Sequence, residues 1–117
     1  IYMPGVTFGT KCPSLGRYSF DAYGAYGRLK IALALMDGKL DYSPQLLDVI
    51  YKCQLCGACD AGCKRNLDLE PLLVLEALRA KCVQDGQGPP PAHKKLAENI
   101  KNSHNRFGSP HENRLKW

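Results

Sequence analysis

Four cysteines fall within eleven residues, at Cys53, Cys56, Cys59 and Cys63. No other stretch of the chain limits its fold so tightly. Thiols two or three residues apart in a tight loop are poor disulfide partners, whereas four soft sulfurs in one short segment suit a metal. The spacing C-x-x-C-x-x-C-x-x-x-C is that of a loop wrapped round a cubane iron–sulfur core. Three cysteines at successive spacings of three predict sulfurs on the inside of one turn. Gly57 lets the backbone come close to such a core, and Gly62 gives similar freedom before Cys63. Loop N–H groups aimed at sulfur would stabilise the buried anion. Lys52, Lys64 and Arg65 flank the loop and would offset its negative charge.

The fourth ligand has two solutions. In proteins with two clusters, the last cysteine of each motif ligates the other cluster, and that cysteine precedes a proline. Here Cys63 precedes Lys64, while remote Cys12 precedes Pro13. The preferred set is therefore Cys12, Cys53, Cys56 and Cys59 for one 4Fe–4S cluster. Cys63 is then left for a second, shared 4Fe–4S cluster whose other cysteines are outside this chain. The simpler alternative closes the local set with Cys63 and leaves Cys12 free. Zinc competes chemically, but its structural sites pair two separated C-x-x-C knuckles, and three ligands in seven residues crowd a single ion.

Around the motif the chain reads as all-α. Residues 1–20, with Pro4, Gly5, Gly9, Pro13 and Gly16, read as an irregular loop. Residues 21–37 predict a helix capped by Asp21 and regular from about Tyr26, with Leu29, Ile31, Ala32, Leu33, Leu35 and Met36 as its apolar surface and Gly38 as its stop. Ser43-Pro44 is a hydroxyl cap followed by proline at the first helical position. The helix it starts carries a stripe of Leu46, Leu47, Val49 and Ile50 and delivers the chain into Cys53. Asp68 is expected to cap a longer helix, with Pro71 in its first turn, Leu72, Leu75, Leu78 and Cys82 on one face, and Gly86 at its end. Residues 87–91 (QGPPP) form a stiff break. A last helix from Ala92 to about Ser103 is expected to turn Leu96 and Ile100 inward, before an extended tail. The chain thus divides into a cluster-binding domain over 1–86 and a linker, short helix and tail over 87–117.

At 117 residues with a net charge of +5, the chain has room for one domain, whose order a bound cofactor would reinforce. Lys94, Lys95, Lys101, Arg106, Arg114 and Lys116 concentrate the basic excess near the end. They read as a solvated surface or as a docking face for an acidic partner. Stacking aromatics are not interleaved with them and no nucleic-acid-binding motif is visible, so nucleic acid is not expected. The longest apolar run, Ile31 to Met36, is too short to span a bilayer, so no direct membrane span is expected. The start at Ile1 shows no leader and suggests a piece of something longer. Thiols clustered for metal imply a reducing cytoplasm. Cys82 reads as a small core residue, and His93, His104 and His111 as surface residues. Tyr18, Tyr23, Tyr26 and Tyr42 would either shield a cluster or pack between helices. No nucleophile elbow, phosphate loop or catalytic carboxylate pair is present.

Cys12-Pro13, a helix, the motif over 53–63 and a long helix follow in an order that resembles the N-terminal helical-ferredoxin domain of heterodisulfide reductase subunits of the C and D type. The iron–sulfur subunits of glycolate oxidase and of anaerobic glycerol-3-phosphate dehydrogenase are similar, as is the C-terminal half of the succinate dehydrogenase iron–sulfur protein. The resemblance covers about residues 12–85 and includes the Gly27-Arg28 pair opening a helix. It implies two 4Fe–4S clusters with crossed fourth ligands. Cys12 then matches the last cysteine of the first motif, and Cys53, Cys56, Cys59 and Cys63 match the second. The first three cysteines of the first motif are missing, Lys64 replaces the expected proline, and no cysteine-rich domain follows. Residues 109–117 look like the lead-in to such a domain.

The expectation is an all-α, helical-ferredoxin-like chain that relays single electrons to a catalytic site elsewhere in an oxidoreductase. Its expected partners are other subunits of a redox complex: a flavoprotein, a ferredoxin or a membrane cytochrome, the last giving membrane association through that subunit. Two rival readings are a catalytic iron–sulfur site with an open iron and a zinc-stabilised interaction module.

Overall fold

A computed structural model describes residues 11–116. The expected loop over residues 1–10 and the terminal Trp117 lie outside the described residues, as do the side chains of Asn66 and Arg114. Within that range the chain is all-α: six α-helices and two 3₁₀ turns, with no strand among the described residues. No helix among them is long and apolar enough to cross a membrane.

The first helix, α1 (Pro13–Tyr18), corrects the expected irregular loop. Proline at the first helical position has a preset φ and an amide that needs no partner, so Pro13 starts a helix rather than breaking one. Cys12 is its N-cap residue, in extended conformation. A 3₁₀ turn over Asp21–Tyr23 follows, so Asp21 lies inside a turn and caps nothing; Gly24 is the N-cap of α2 (Ala25–Met36). A Cβ at Gly27 would collide with the backbone of Asp21 and Ala22, so the glycine lets α2 lie directly on the turn. The buried stripe of α2 is Ala25, Arg28 and Ala32, while Leu33 and Met36 are exposed. Spacings of three and four set that face. It carries a charged residue where an all-apolar one was expected.

Helix α3 (Pro44–Tyr51) starts as its sequence dictates: Ser43 Oγ accepts from Leu46 N–H at 3.1 Å. Its apolar stripe buries Ile50, 1% exposed, against Ala32, Leu78 and Cys82, with Leu46 and Leu47 packed beside them. Cys82 is thus a core residue, as expected. Helix α4 (Ala58–Leu67) occupies a stretch in which only a cysteine loop was expected. Asp68 ends α4 in left-handed conformation and does not cap α5 (Pro71–Gln84); Asp60 does so instead, its Oδ1 accepting from Leu72 N–H at 2.8 Å. Gly62 is an ordinary interior position of α4, buried, rather than a point of loop freedom.

Gly86, with φ +72°, follows the C-cap of α5, and the prolines lead into α6 (Pro91–Ser103). Leu96 and Ile100 are 38% and 51% exposed, which corrects the inward face expected for them. His93 sits edge-on to Tyr51, with ring centroids 5.6 Å apart, and so brings the start of α6 to the end of α3. The tail closes with a 3₁₀ turn over His111–Leu115.

Candidate functional site

Three separated parts of the chain meet at one cavity. Cys12 stands at the start of α1, Cys53 and Cys56 lie in the loop after α3, and Cys59 lies in the first turn of α4. All four line one small cavity, of about 20 Å³, whose wall also includes Arg28, Leu55, Leu72 and Leu75. Cys63, one turn further along α4, does not line it. The exposed thiol among the four is Cys56; the other three are half-buried.

The loop is shaped by two left-handed residues. Gly57, with φ +72°, turns the chain from loop into α4, a conformation that costs a glycine little. Leu55 adopts φ +50°, which a branched side chain takes up only under constraint. That conformation points the Leu55 N–H at Cys53 Sγ, 3.4 Å away, a donor-to-sulfur contact of the kind the motif predicts. From below, Arg79 donates to the carbonyls of Tyr51 and Cys53, tying the loop to α5.

Cys12 is held by a compact polar group. Its thiol donates to the Tyr23 carbonyl at 3.6 Å and lies 3.3 Å from Ser14 Oγ. Ser14 donates to the same carbonyl at 2.7 Å, and Arg28 Nη1 donates to it at 2.5 Å. Arg28 also donates through Nη2 to Ser14 Oγ at 3.1 Å and through Nε to the Val49 carbonyl at 2.8 Å. Burial pushes the Cys12 thiol up. The Ser14 hydrogen bond, the Leu15 and Ser14 amides and the Arg28 charge outweigh that effect, and its pKa falls below the ordinary thiol value. Cys59 moves the other way: burial, then the neighbouring Asp60 carboxylate, raise it.

The cations chosen from sequence do not act at the cavity. Lys52 pairs with Asp48 at 3.7 Å and lies over the Tyr18 ring, and Lys64 pairs with Glu70. Arg65 is exposed on the last turn of α4. Tyr18, Tyr23, Tyr26 and Tyr42 do not line the cavity either. Tyr18 stacks on Tyr23 with centroids 4.3 Å apart, Tyr23 donates to Asp48, Tyr42 donates to Asp85, and Tyr26 is exposed. The residues that sequence reasoning missed are Arg28, Ser14 and Asp60. Arg28 had a signal: it falls three residues after Ala25 and four before Ala32, on the buried face of α2.

A 4Fe–4S cluster, the group the motif implies, needs soft thiolates distributed round a core of several atoms. Four thiols spaced round one cavity, apolar groups between them and an N–H aimed at one sulfur fit that need. As they stand, no three His, Cys, Asp or Glu side chains among the described residues form a group that could hold a metal ion. No family model matches the chain, and neither a curated protein nor a solved structure matches it.

Proposed function

We propose that the chain is an electron-transfer segment of an oxidoreductase, of the helical-ferredoxin kind, with Cys12, Cys53, Cys56 and Cys59 holding one 4Fe–4S cluster. The observation that carries this reading is the common cavity. Four thiols from parts of the chain up to 47 residues apart reach it, since Cys12 and Cys59 both line its wall. Bound there, the cluster would supply one-electron exchange without any proton-transfer side chain. The chain's own task is to keep four thiolates in place and to limit water. Leu55, Leu72 and Leu75 give the apolar wall, and the Leu55 N–H is directed at Cys53 Sγ.

Exposed Cys56 marks the edge from which an electron would reach a partner. That partner is another subunit of a redox complex: a flavoprotein, a ferredoxin or a membrane cytochrome. The compartment proposed is the cytoplasm, where thiols stay reduced. Cys63, outside the cavity, is proposed as a ligand to a second cluster completed by cysteines from elsewhere.

Paired variants test the ligand set. After anaerobic reconstitution, Cys12→Ser is expected to bleach the broad visible absorbance and to alter the paramagnetic signal seen after dithionite. Cys63→Ser is expected to leave both in place. The reverse pattern would assign the local set with Cys63 and remove Cys12 from the site.

A further inference from the structure

We propose that Arg28 is a built-in counter-cation for the four-thiol cavity, and that its fixed charge holds the anionic cluster and raises its reduction potential. The inference rests on the reading of that cavity as a cluster site, and it assigns Arg28 as a positioning residue and not a ligand.

Arg28 is 1% exposed and lines the cavity beside all four thiols. A guanidinium keeps its charge at any pH a folded protein meets. Its three donor contacts go to the Val49 carbonyl, the Tyr23 carbonyl and the Ser14 hydroxyl. These neutral acceptors fix the plane of the group but do not cancel its charge. The ion pairs among the described residues join Lys39 to Asp37, Lys52 to Asp48, Lys64 to Glu70 and Lys81 to Asp85, all on the surface. None involves Arg28. Burial of an uncompensated charge is strongly unfavourable, and buried charges are found paired. Thiolates of the adjoining cavity, with the cluster they would hold, are the anion within reach of this charge.

The connection to sulfur is short. Cys12 Sγ and Arg28 Nη1 share the Tyr23 carbonyl, and Cys12 Sγ and Arg28 Nη2 both lie against Ser14 Oγ. One-electron reduction of the cluster, with dithionite supplying the electron through mediators, adds one negative charge and leaves bonds and protons unchanged. A fixed cation nearby stabilises the more negative product, so the potential rises. Arg79 is not equivalent. It does not line the cavity, and its guanidinium lies over the Tyr51 ring at 5.1 Å.

The test uses the full chain, anaerobically reconstituted, with Arg28→Met and Arg28→Lys beside the wild type. Helicity is followed by circular dichroism, loading by iron and sulfide content, and potential by mediated titration read by electron paramagnetic resonance. Loaded Arg28→Met is expected to show a reduction equilibrium constant at least tenfold lower, a fall of about 59 mV for one electron. Arg28→Lys is expected to stay within threefold of wild type. A helical Arg28→Met that takes up no cluster, while Arg28→Lys does, also supports the proposal. A loaded Arg28→Met with an unchanged potential overturns it, as does equal loss in both variants with helicity intact. Should Arg28→Met not fold, Arg28→Gln, which keeps N–H donors but not the charge, takes its place: a reduction equilibrium constant at least tenfold lower supports the proposal, and an unchanged potential overturns it. Wild-type chain without iron would instead remove the cluster reading itself.

Discussion

Replacing Ser14 with alanine tests whether the polar group beneath Cys12 is a structural anchor. Ser14 is 5% exposed, so water cannot take over its hydrogen bonds. The substitution deletes the acceptor that Arg28 Nη2 meets at 3.1 Å and the donor that the Tyr23 carbonyl meets at 2.7 Å. A hydrogen bond to a charged group contributes about 1.5–3 kcal/mol. The Tyr23 carbonyl keeps Arg28 Nη1, so its further loss is near the low end of a neutral bond, about 0.5–1 kcal/mol. The expected destabilisation is therefore about 2–4 kcal/mol. Domains of this size retain about 5–15 kcal/mol in total, and each kcal/mol moves the midpoint by about 4–8 °C. Urea titration of the reduced chain, followed by helical dichroism, should give a lower midpoint with an unchanged slope. A loss below about 0.5 kcal/mol would refute the view that this carbonyl, hydroxyl and guanidinium group holds α1 against α2.

Gly57→Ala forces a side chain into the left-handed region at φ +72°, and is expected to cost about 1–2 kcal/mol in thermal or urea unfolding; an unchanged midpoint would show that the turn relaxes freely. Gly27→Ala collides with the backbone of the turn beneath α2, so a loss of about 1–3 kcal/mol is expected in the same assay; an unchanged midpoint would show that α2 and the turn separate at no cost. The pKa of Tyr42 is raised by burial and by its bond to Asp85, so its contribution is fully present below about pH 10 and is lost as pH rises further, where the unfolded chain ionises first. Tyr42→Phe is expected to flatten that alkaline loss, and a pH profile indistinguishable from wild type would remove Tyr42 as its source. Asp85 is lowered by Lys81 first and by Tyr42 second; its contribution is present above about pH 4 and is lost on acidification, and nuclear magnetic resonance titration should show its carboxyl moving back up in Tyr42→Phe.

Local signals carried most of the helices. Ser43-Pro44 states its cap and first residue outright, and Gly38 and Gly86 take the positive φ that stops a helix. The face of α5 was legible from Leu75, Leu78 and Cys82, because spacings of three and four need no tertiary information. What was not legible depended on distant partners. Asp60 caps α5 across twelve residues, so Asp68, three residues before Pro71, was the wrong choice, and Glu70 at the N-cap position makes no side-chain cap bond. Helix α4 was hidden because cysteines, glycine and asparagine are weak helix formers, and here packing against α5 overrides propensity.

The candidate site shows the same division. Cys53, Cys56 and Cys59 declare themselves by spacing. Cys12 was linked to them through Pro13 and through the order of parts in the resemblance, and it lines the same cavity while nearer Cys63 does not. Arg28 was noticed only as half of the Gly27-Arg28 pair, and its place at the cavity was missed because a buried cation is the exception on a helix face. The flanking lysines that looked like its counterparts are occupied by surface carboxylates, where screening makes such pairs weak.

Iron and acid-labile sulfide, counted per chain after strictly anaerobic purification, bear most directly on this account. About four of each, lost together when Cys12 becomes serine, is the predicted outcome. A chain that contains neither, or that carries a single zinc instead, would contradict it.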